Sequence, residues 1–530
     1  MESNKIIKGA LILTIAGLIS KILSAGYRIP LQNLTGDMGF YVYQQVYPLL
    51  GIAFVFALYG FPSAISKIVA EKDKGNKNLR EFYFPLLAIM LLINGTIFIF
   101  LYLNAESIAI WIGDSNLIHA YQTAAFLFLL IPFTSMLRGF FQGNNYIQPT
   151  AYSQVGEQLF RVIIIIASAL VVTVQGKDIY AVGQAAGVAS IIGAGIAIII
   201  LLIFVWKFHT KQNTSSLALA PVPWGYYAKT ILVFGLIASL NHMILLVIQF
   251  ADTFTLVPSL IEYGLSKLDS METKGVFDRG QPLIQLGTVL GSSFALALIP
   301  SISQDKFQRD PKNVYKHVTS AVSLSFYLAI GATIGLITLF PLVNILLFQD
   351  TSGTSTLQIL VLAILLCSIS ITGASILQGL GFMKRTAFFI VAAFFVKWVS
   401  NQLLVPIFGI NGSAFATILS LFMLCFLVLW ALHRKLPELK IWKKINWKAF
   451  LIASFSMFLY LIVLLGIGPD YEAISRFGLF LYVLILVFGG GMIYLILLIR
   501  FHAFSSKELA MLPFASKLQA FSKEGIHNDN

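Results

Sequence analysis

Apolar runs of about twenty residues recur along this chain, separated by short polar stretches. Each run is long enough to cross a hydrocarbon core ~30 Å thick at ~1.5 Å per residue. The pattern predicts spans near 9–30, 42–64, 82–103, 118–137, 152–173, 181–205, 228–250, 280–301, 319–343, 356–379, 386–407, 410–432, 449–467 and 477–499. The expected class is an all-α polytopic membrane protein with about fourteen transmembrane helices. A turn-rich loop, 31–39, follows the first span. The stretch 253–279 is longer and mixed, and reads as a short interfacial helix or a bent extension of its neighbours. The segment 503–523 reads as an amphipathic surface helix.

Composition strengthens this picture. The 530 residues are 58% hydrophobic and 11% charged, with a mean hydropathy of +0.84, which leaves too little polar surface for a soluble chain of this length. A net charge of +13 would suggest a nucleic-acid partner in a soluble protein; here it reads as basic loops at an anionic membrane face. With the N-terminus inside, most Lys and Arg fall in inside segments, Arg138 among them. Only Lys177, Lys267, Lys274, Arg279 and Arg476 fall outside. That bias places both termini in the cytoplasm. No cleavable signal peptide is evident at MESNKIIKG. Cys367 and Cys425 read as small core residues. The histidines have no metal-ligand spacing, and there is no GxSxG, P-loop or DxD cluster, so neither an enzyme nor a cofactor is expected. A coupling ion remains open.

Weak matches suggest an internal repeat. QGNNYIQPT at 142–150 pairs with QGLGFMKRT at 378–386, and FPSAIS at 61–66 faces IPSIS at 299–303. Two parallel six-helix units follow, an N-lobe over 1–206 and a C-lobe over 228–433, with a connector at 207–227. Residues 434–500 add two helices outside the repeat, and 501–530 form a cytoplasmic tail. A monomer would suffice for a transporter of this design, with substrate in a cleft framed by the first span of each half.

Charges inside the spans are the candidate machinery, because one at the bilayer centre costs at least ~2.5–3.5 kcal/mol. Lys21 and Arg28 are seven residues apart on one helical face. Arg28 lines a polar cavity or, on the plainer reading, reaches the interface with its long side chain. Glu157 and Arg161 are spaced for an ion pair within one helix, either pinning the packing or serving gating. Asp252 is placed at the exit of span seven, as a cap or a cation site, and Asp278–Arg279 at the entrance to span eight. Lys397 occupies the repeat position of Arg161. A cationic interior implies an anionic cargo, held by arginine forks or a lysine charge.

Four stretches carry a family resemblance: SAGYRIPLQNLTG (24–36), YQQVYPLLGIAFVFALYGFPSAISK (43–67), RGFFQGNNYIQPTAYSQVGEQLFR (138–161) and FDRGQPLIQLGTVLGSSFALALIPSIS (277–303). The chain resembles the MOP exporter superfamily and, within it, the MurJ lipid II flippases of Gram-positive type. These are related to polysaccharide exporters and stage V sporulation protein B. The resemblance implies a MOP/MATE-like fold with a V-shaped cationic cavity, and a groove on the last two spans for a polyprenyl tail. The implied cargo is undecaprenyl-pyrophosphate-linked disaccharide pentapeptide, moved from inner to outer leaflet by alternating access driven by membrane potential or an ion gradient. Arg28 and Arg279 match the family's cavity arginines, with Lys21 a further candidate. Gln44 and Gln45 stand where the Gram-negative pattern has a basic residue. Asp252, Glu157, Arg161 and Asp278 are candidates for coupling or gating. Expected partners are the lipid-linked glycan, membrane lipids and cell-wall synthesis proteins, in the bacterial cell membrane. The alternatives are a flippase for a capsule or teichoic precursor, an ion-coupled multidrug exporter, and a non-transporting scaffold.

Overall fold

The computed structural model describes residues 2–71, 79–209, 223–296, 302, 304–439, 441–469 and 474–509. Residues 210–222 of the expected connector, 510–530 of the expected tail, Pro300, and residues 72–78 of the first charged loop lie outside them. Among the described residues the chain is helical and contains no strand. In order the helices are α1 (Glu2–Gly26), α2 (Arg28–Val55), α3 (Phe61–Glu71), α4 (Leu79–Leu103), α5 (Ala105–Ile112), α6 (Ile118–Ala125), α7 (Leu127–Gly143), α8 (Gln148–Val174), α9 (Ala181–His209), α10 (Trp224–Lys229), α11 (Leu236–Asn241) and α12 (Ile244–Tyr263). They continue as α13 (Lys267–Asp278), α14 (Gly280–Leu296), α15 (Gln304–Arg309), α16 (Pro311–Phe348), α17 (Thr354–Val361), α18 (Ala363–Gly379), α19 (Met383–Phe408), α20 (Ile410–Lys435), α21 (Ile441–Lys444), α22 (Trp447–Ile467), α23 (Arg476–Arg500) and α24 (Ser506–Leu509).

Twelve helical segments among the described residues are long and apolar enough to cross a membrane. The first, Ile15–Glu71, is 57 residues long and covers two of the runs predicted from the sequence. It breaks where the sequence requires it. Pro30 has no N–H to donate to the carbonyl of Gly26, which opens the α1–α2 junction. At Gly36 the backbone turns through φ +67°, a region that suits glycine. The predicted loop at 31–39 is therefore helix with a kink. Outward faces carry large apolar side chains, among them Leu92 (72% exposed), Phe388 (68%) and Phe488 (66%). Exposure on that scale suits hydrocarbon, and the chain is a multi-pass membrane protein.

The chain divides into two compact units, one of Met1–Asp278 with Asn401–Gly409, the other of Arg279–Ser400 with Ile410–Asn530. In the first, α8 and α9 pack along their lengths, and α12 and α13 pack on α2. The predicted seventh span is displaced: Asp252 lies well inside α12 rather than at a helix exit, because the apolar face continues through Leu256, Val257 and Leu260. In the second unit the 38-residue α16 carries both α22 and α23. Tyr494 Oη donates to the Tyr327 carbonyl at 2.8 Å, and the Asn446 amide donates to Tyr327 Oη at 2.8 Å. Lys444 reaches Glu508 and donates to Ser320 Oγ at 2.8 Å.

The seat of α13 on α2 depends on Gly275. A Cβ there would fall on the carbonyl oxygen of Asp37 and within 2.9 Å of its carbonyl carbon. Backbone on backbone cannot yield as a side-chain tip can. Gly275→Ala is expected to lower stability by about 1–3 kcal/mol, the usual cost of overpacking, read as a lower midpoint of thermal unfolding for the purified protein in detergent.

Candidate functional site

The buried charges of the first unit fall into three groups, built on α2, α8 and α12. The deepest centres on Glu157. Its Oε2 accepts from Arg138 Nη2 at 2.8 Å and its Oε1 from Arg161 Nη2 at 2.9 Å. Arg138 is 0% exposed, and each of its guanidinium nitrogens has a partner. Its Nε donates to Ser153 Oγ at 3.1 Å and its Nη1 to the Ala57 carbonyl at 3.1 Å. That carbonyl is open for a covalent reason. Residues 56–60 form one wide turn in which the Phe61 N–H bonds Phe56 O, and the next residue, Pro62, has no N–H to offer. The predicted Glu157–Arg161 pair is thus one arm of a triad. Arg138, read from the sequence as an inside-loop cation, is its other arm, because α7 continues to Gly143. The polar neighbours at 138–158 were the only signal for it.

Arg28 opens the second group. It is 1% exposed. Its guanidinium carbon lies 3.9 Å from the centroid of the Tyr47 ring, and Nη2 reaches Ser24 Oγ at 3.4 Å. Its Nε and Nη1 are buried and meet no acceptor at hydrogen-bonding geometry, although the Tyr27 hydroxyl is close enough to act on the guanidinium. Tyr27 and Tyr43 stand beside it, hydroxyl against hydroxyl, with their rings edge to face. Both Arg28 and Arg161 act electrostatically on Tyr27, and Arg161 lies over Phe54 at 5.1 Å. Two guanidinium groups therefore share an aromatic wall. Gln44 and Gln45 are buried next along α2. Gln45 Nε2 donates to Tyr41 Oη at 3.3 Å, while the Oε1 atoms of both glutamines meet no donor. Lys21 is exposed, near enough to bear on His242.

The third group combines both signs. Asn401 Nδ2 donates to Asp252 Oδ1 at 2.8 Å and to Thr255 Oγ1 at 2.7 Å. Lys274 and Asp278, expected in an outside segment, form a buried pair at 2.6 Å. Burial pushes the Asp278 carboxyl up and Lys274 opposes this; Asp252 adds to the rise and Arg28 opposes it. Asp114, another carboxylate the sequence reading passed over, is 0% exposed and accepts from Tyr41 Oη at 3.2 Å and Tyr180 Oη at 2.9 Å.

Arg279 belongs to the second unit. It is 0% exposed and clasped by Asp350 through Nη1–Oδ1 at 2.6 Å and Nη2–Oδ2 at 2.8 Å. Partial burial works to raise the Asp350 carboxyl, but the Arg279 fork and the Ser352 amide outweigh it and hold the group below its usual range. Lys397 is 0% exposed and donates to Ser413 O at 2.9 Å, Ser413 Oγ at 2.9 Å and Thr417 Oγ1 at 2.7 Å. Among the described residues no group of three or more His, Cys, Asp or Glu is arranged to hold a metal ion.

Two outcomes follow from these pairings. Glu157→Gln removes the one carboxylate between two buried guanidinium groups and is expected to cost about 3–5 kcal/mol. Arg161→Gln, which leaves the Arg138 arm intact, is expected to cost less, both read by thermal unfolding in detergent. For Asp350 the folded value is depressed, so the stability it contributes is complete above the ordinary value of 3.8. It is lost as pH falls through the lower folded value. In Asp350→Asn that acid-side fall in unfolding midpoint is expected to shrink.

A family model described as a polysaccharide biosynthesis protein matches residues 6–306. An uncharacterized membrane protein of Bacillus subtilis, YabM, is 36% identical over 98% of this chain and 97% of its own length. The lipid II flippase MurJ of the same organism is 27% identical over 79% of this chain and 80% of its own. Among solved structures, a lipid II flippase MurJ in an inward closed conformation superposes with a TM-score of 0.65 at 15% identity, covering 93% of this chain and 99% of that one. An inward-facing multidrug resistance MATE transporter of the MOP superfamily superposes with a TM-score of 0.61 at 16% identity, covering 80% and 98%. With this architecture, and with a relative matched over nearly its whole length, the chain belongs to the polysaccharide biosynthesis protein family and has the fold of the MOP-superfamily transporters.

Proposed function

We propose that this protein is a flippase that carries a polyprenyl-pyrophosphate-linked glycan across the membrane, with lipid II as its cargo and Arg28 as a ligand of the pyrophosphate. The observation that carries the reading is the open guanidinium of Arg28. A buried donor without an acceptor is costly. Two such donors on one cation, set against Tyr27, Tyr43 and Tyr47, fit an anionic oxygen that arrives with the cargo. Arg161 adds charge to the same wall. Gln44 and Gln45 offer carbonyl oxygens suited to sugar hydroxyls. The apolar outer faces of α22 and α23, with Phe455, Phe458, Phe480 and Phe488 exposed, suit a polyprenyl tail. Similarity to lipid II flippases in sequence and fold supports the choice of cargo.

A second reading takes another polyprenyl-linked oligosaccharide as cargo, and the description of the matching family favours it. A multidrug exporter for cations fits less well, since the carboxylate nearest the Arg161 side of the aromatic wall is Glu157, already shared by two arginines.

Purified protein in liposomes tests the reading. Lipid II or a polyprenyl-linked capsule-type glycan is placed in one leaflet, and the appearance of its headgroup in the other is followed. Arg28→Ala is expected to slow translocation about ten- to hundredfold, the equivalent of the ~1.5–3 kcal/mol typical of hydrogen bonds to a charged group, with an unchanged unfolding midpoint. Arg28→Lys keeps the charge but loses the fork, and is expected to fall between. Full-rate translocation by Arg28→Ala would remove Arg28 from the site, and transport of the capsule-type glycan alone would select the second cargo.

A further inference from the structure

Two stretches of the first unit meet along a seam that the binding site does not use. One is Phe56–Glu71, the end of the first long segment. The other is Trp224–His242, which precedes α12. Each contains one wide helical turn, Phe56–Gly60 in the first and Thr230–Gly235 in the second. Such turns are uncommon and gather at working parts of proteins.

The contacts along the seam run in strict antiparallel order. Tyr59 stacks on His242, ring centroids 4.3 Å apart and planes 15° from parallel. Gly60 packs against Ser239 so closely that a Cβ has no room, and the Gly235 carbonyl oxygen would lie 2.8 Å from it. Lys67 Nζ lies over the Phe234 ring at 5.0 Å. Tyr226 Oη donates to Glu71. Residues 59, 60, 67 and 71 thus pair with 242, 239, 234 and 226, a crossing about 18 Å long at ~1.5 Å per residue.

The two sides of the seam are held differently. On one side α3 is bound to the body of the unit: Gly139 and Gly143 of α7 pack on Ile65 and Val69 of α3, and Arg138 grips the Ala57 carbonyl. On the other side the helix is interrupted at His242 and Met243 before α12 begins, Met243 having left helical geometry at φ −123°, ψ 31°. The outer end of the seam is open to solvent, with Lys67 and Glu71 side chains 46% and 48% exposed. A stacked ring pair, a cation over a ring and one phenol–carboxylate bond cross it beside the buried side chains of Tyr227, Ile231 and Ala238, and opening it strands no buried charge.

We infer that Trp224–His242 is a hinged strap that opens and closes on α3 as a gate, swinging at the His242–Met243 break and flexing at its own wide turn. The gating role rests on the transporter reading. The hinged motion does not.

The test uses the full chain in liposomes with Cys367→Ala and Cys425→Ala as background. Ser239→Cys, buried while the strap is closed, reports opening through alkylation by N-ethylmaleimide. Alkylation is expected to proceed in this variant. It is expected to be lost when Glu71→Cys and Tyr226→Cys are also present and joined by a short reducible bis-thiosulfonate, and to return on reduction. Gly60→Leu, which cannot seat against Ser239, is expected to speed it. Translocation of lipid-linked glycan is expected to stop and resume with the same crosslink, measured in the Glu71→Cys, Tyr226→Cys pair alone. Alkylation unaffected by the crosslink overturns the strap, as does a Ser239→Cys thiol that never reacts. Full-rate translocation by fully crosslinked protein overturns the gate. Alkylation that follows the crosslink in a protein that moves no glycan leaves the strap standing and refutes the transporter reading instead.

Discussion

A carboxylate shared by two arginines organises the first unit. Glu157 lies where water cannot solvate it, so its charge has to be met by protein. Arg138 and Arg161 meet it from α7 and α8. The cations are left with one positive charge in excess. Arg138 disposes of its remaining donors on Ser153 and on the Ala57 carbonyl, a backbone group that a wide turn and Pro62 leave open. Arg161 turns toward Phe54 instead. One interaction thus joins two helices, supports an irregular turn, and directs a guanidinium toward the aromatic wall.

Arg28 is the counter-example. Arg138 and Arg28 are both buried arginines in one unit, but the fold gives each guanidinium nitrogen of the first a partner and leaves two nitrogens of the second without an acceptor at hydrogen-bonding geometry. Structural arginines are saturated because an open donor in a dry interior costs stability. On the proposed function, Arg28 carries that cost until its ligand arrives. Arg279 presents a third case, with its fork closed on Asp350.

Much of this was legible in the chain, and the failures share a cause. Apolar runs located the membrane helices because a bilayer demands about twenty apolar residues per crossing. The spacing of Glu157 and Arg161 predicted their pair, because four residues bring side chains onto one helical face. Arg28 stood out as a charge in an apolar run. Arg138, Lys274 and Arg279 were assigned to loops, because each lies at the edge of a run, where sequence cannot distinguish a helix that ends from one that continues. Asp252 was misplaced for the same reason: the polar residues after it read as an exit, while the apolar face beneath them carries α12 on to Tyr263.

The sequence by itself determined the medium, the secondary structure and the candidate charges, since these depend on local composition and on periodicities of a few residues. Only the tertiary structure decided which charges are satisfied and which are open. Ser153, Ala57 and Glu157 close on Arg138, Asn401 reaches Asp252 from a distant helix, and Asp350 meets Arg279 across 71 residues of chain. Such partners come together only when helices far apart in sequence pack side by side, and no local pattern encodes the distance between them.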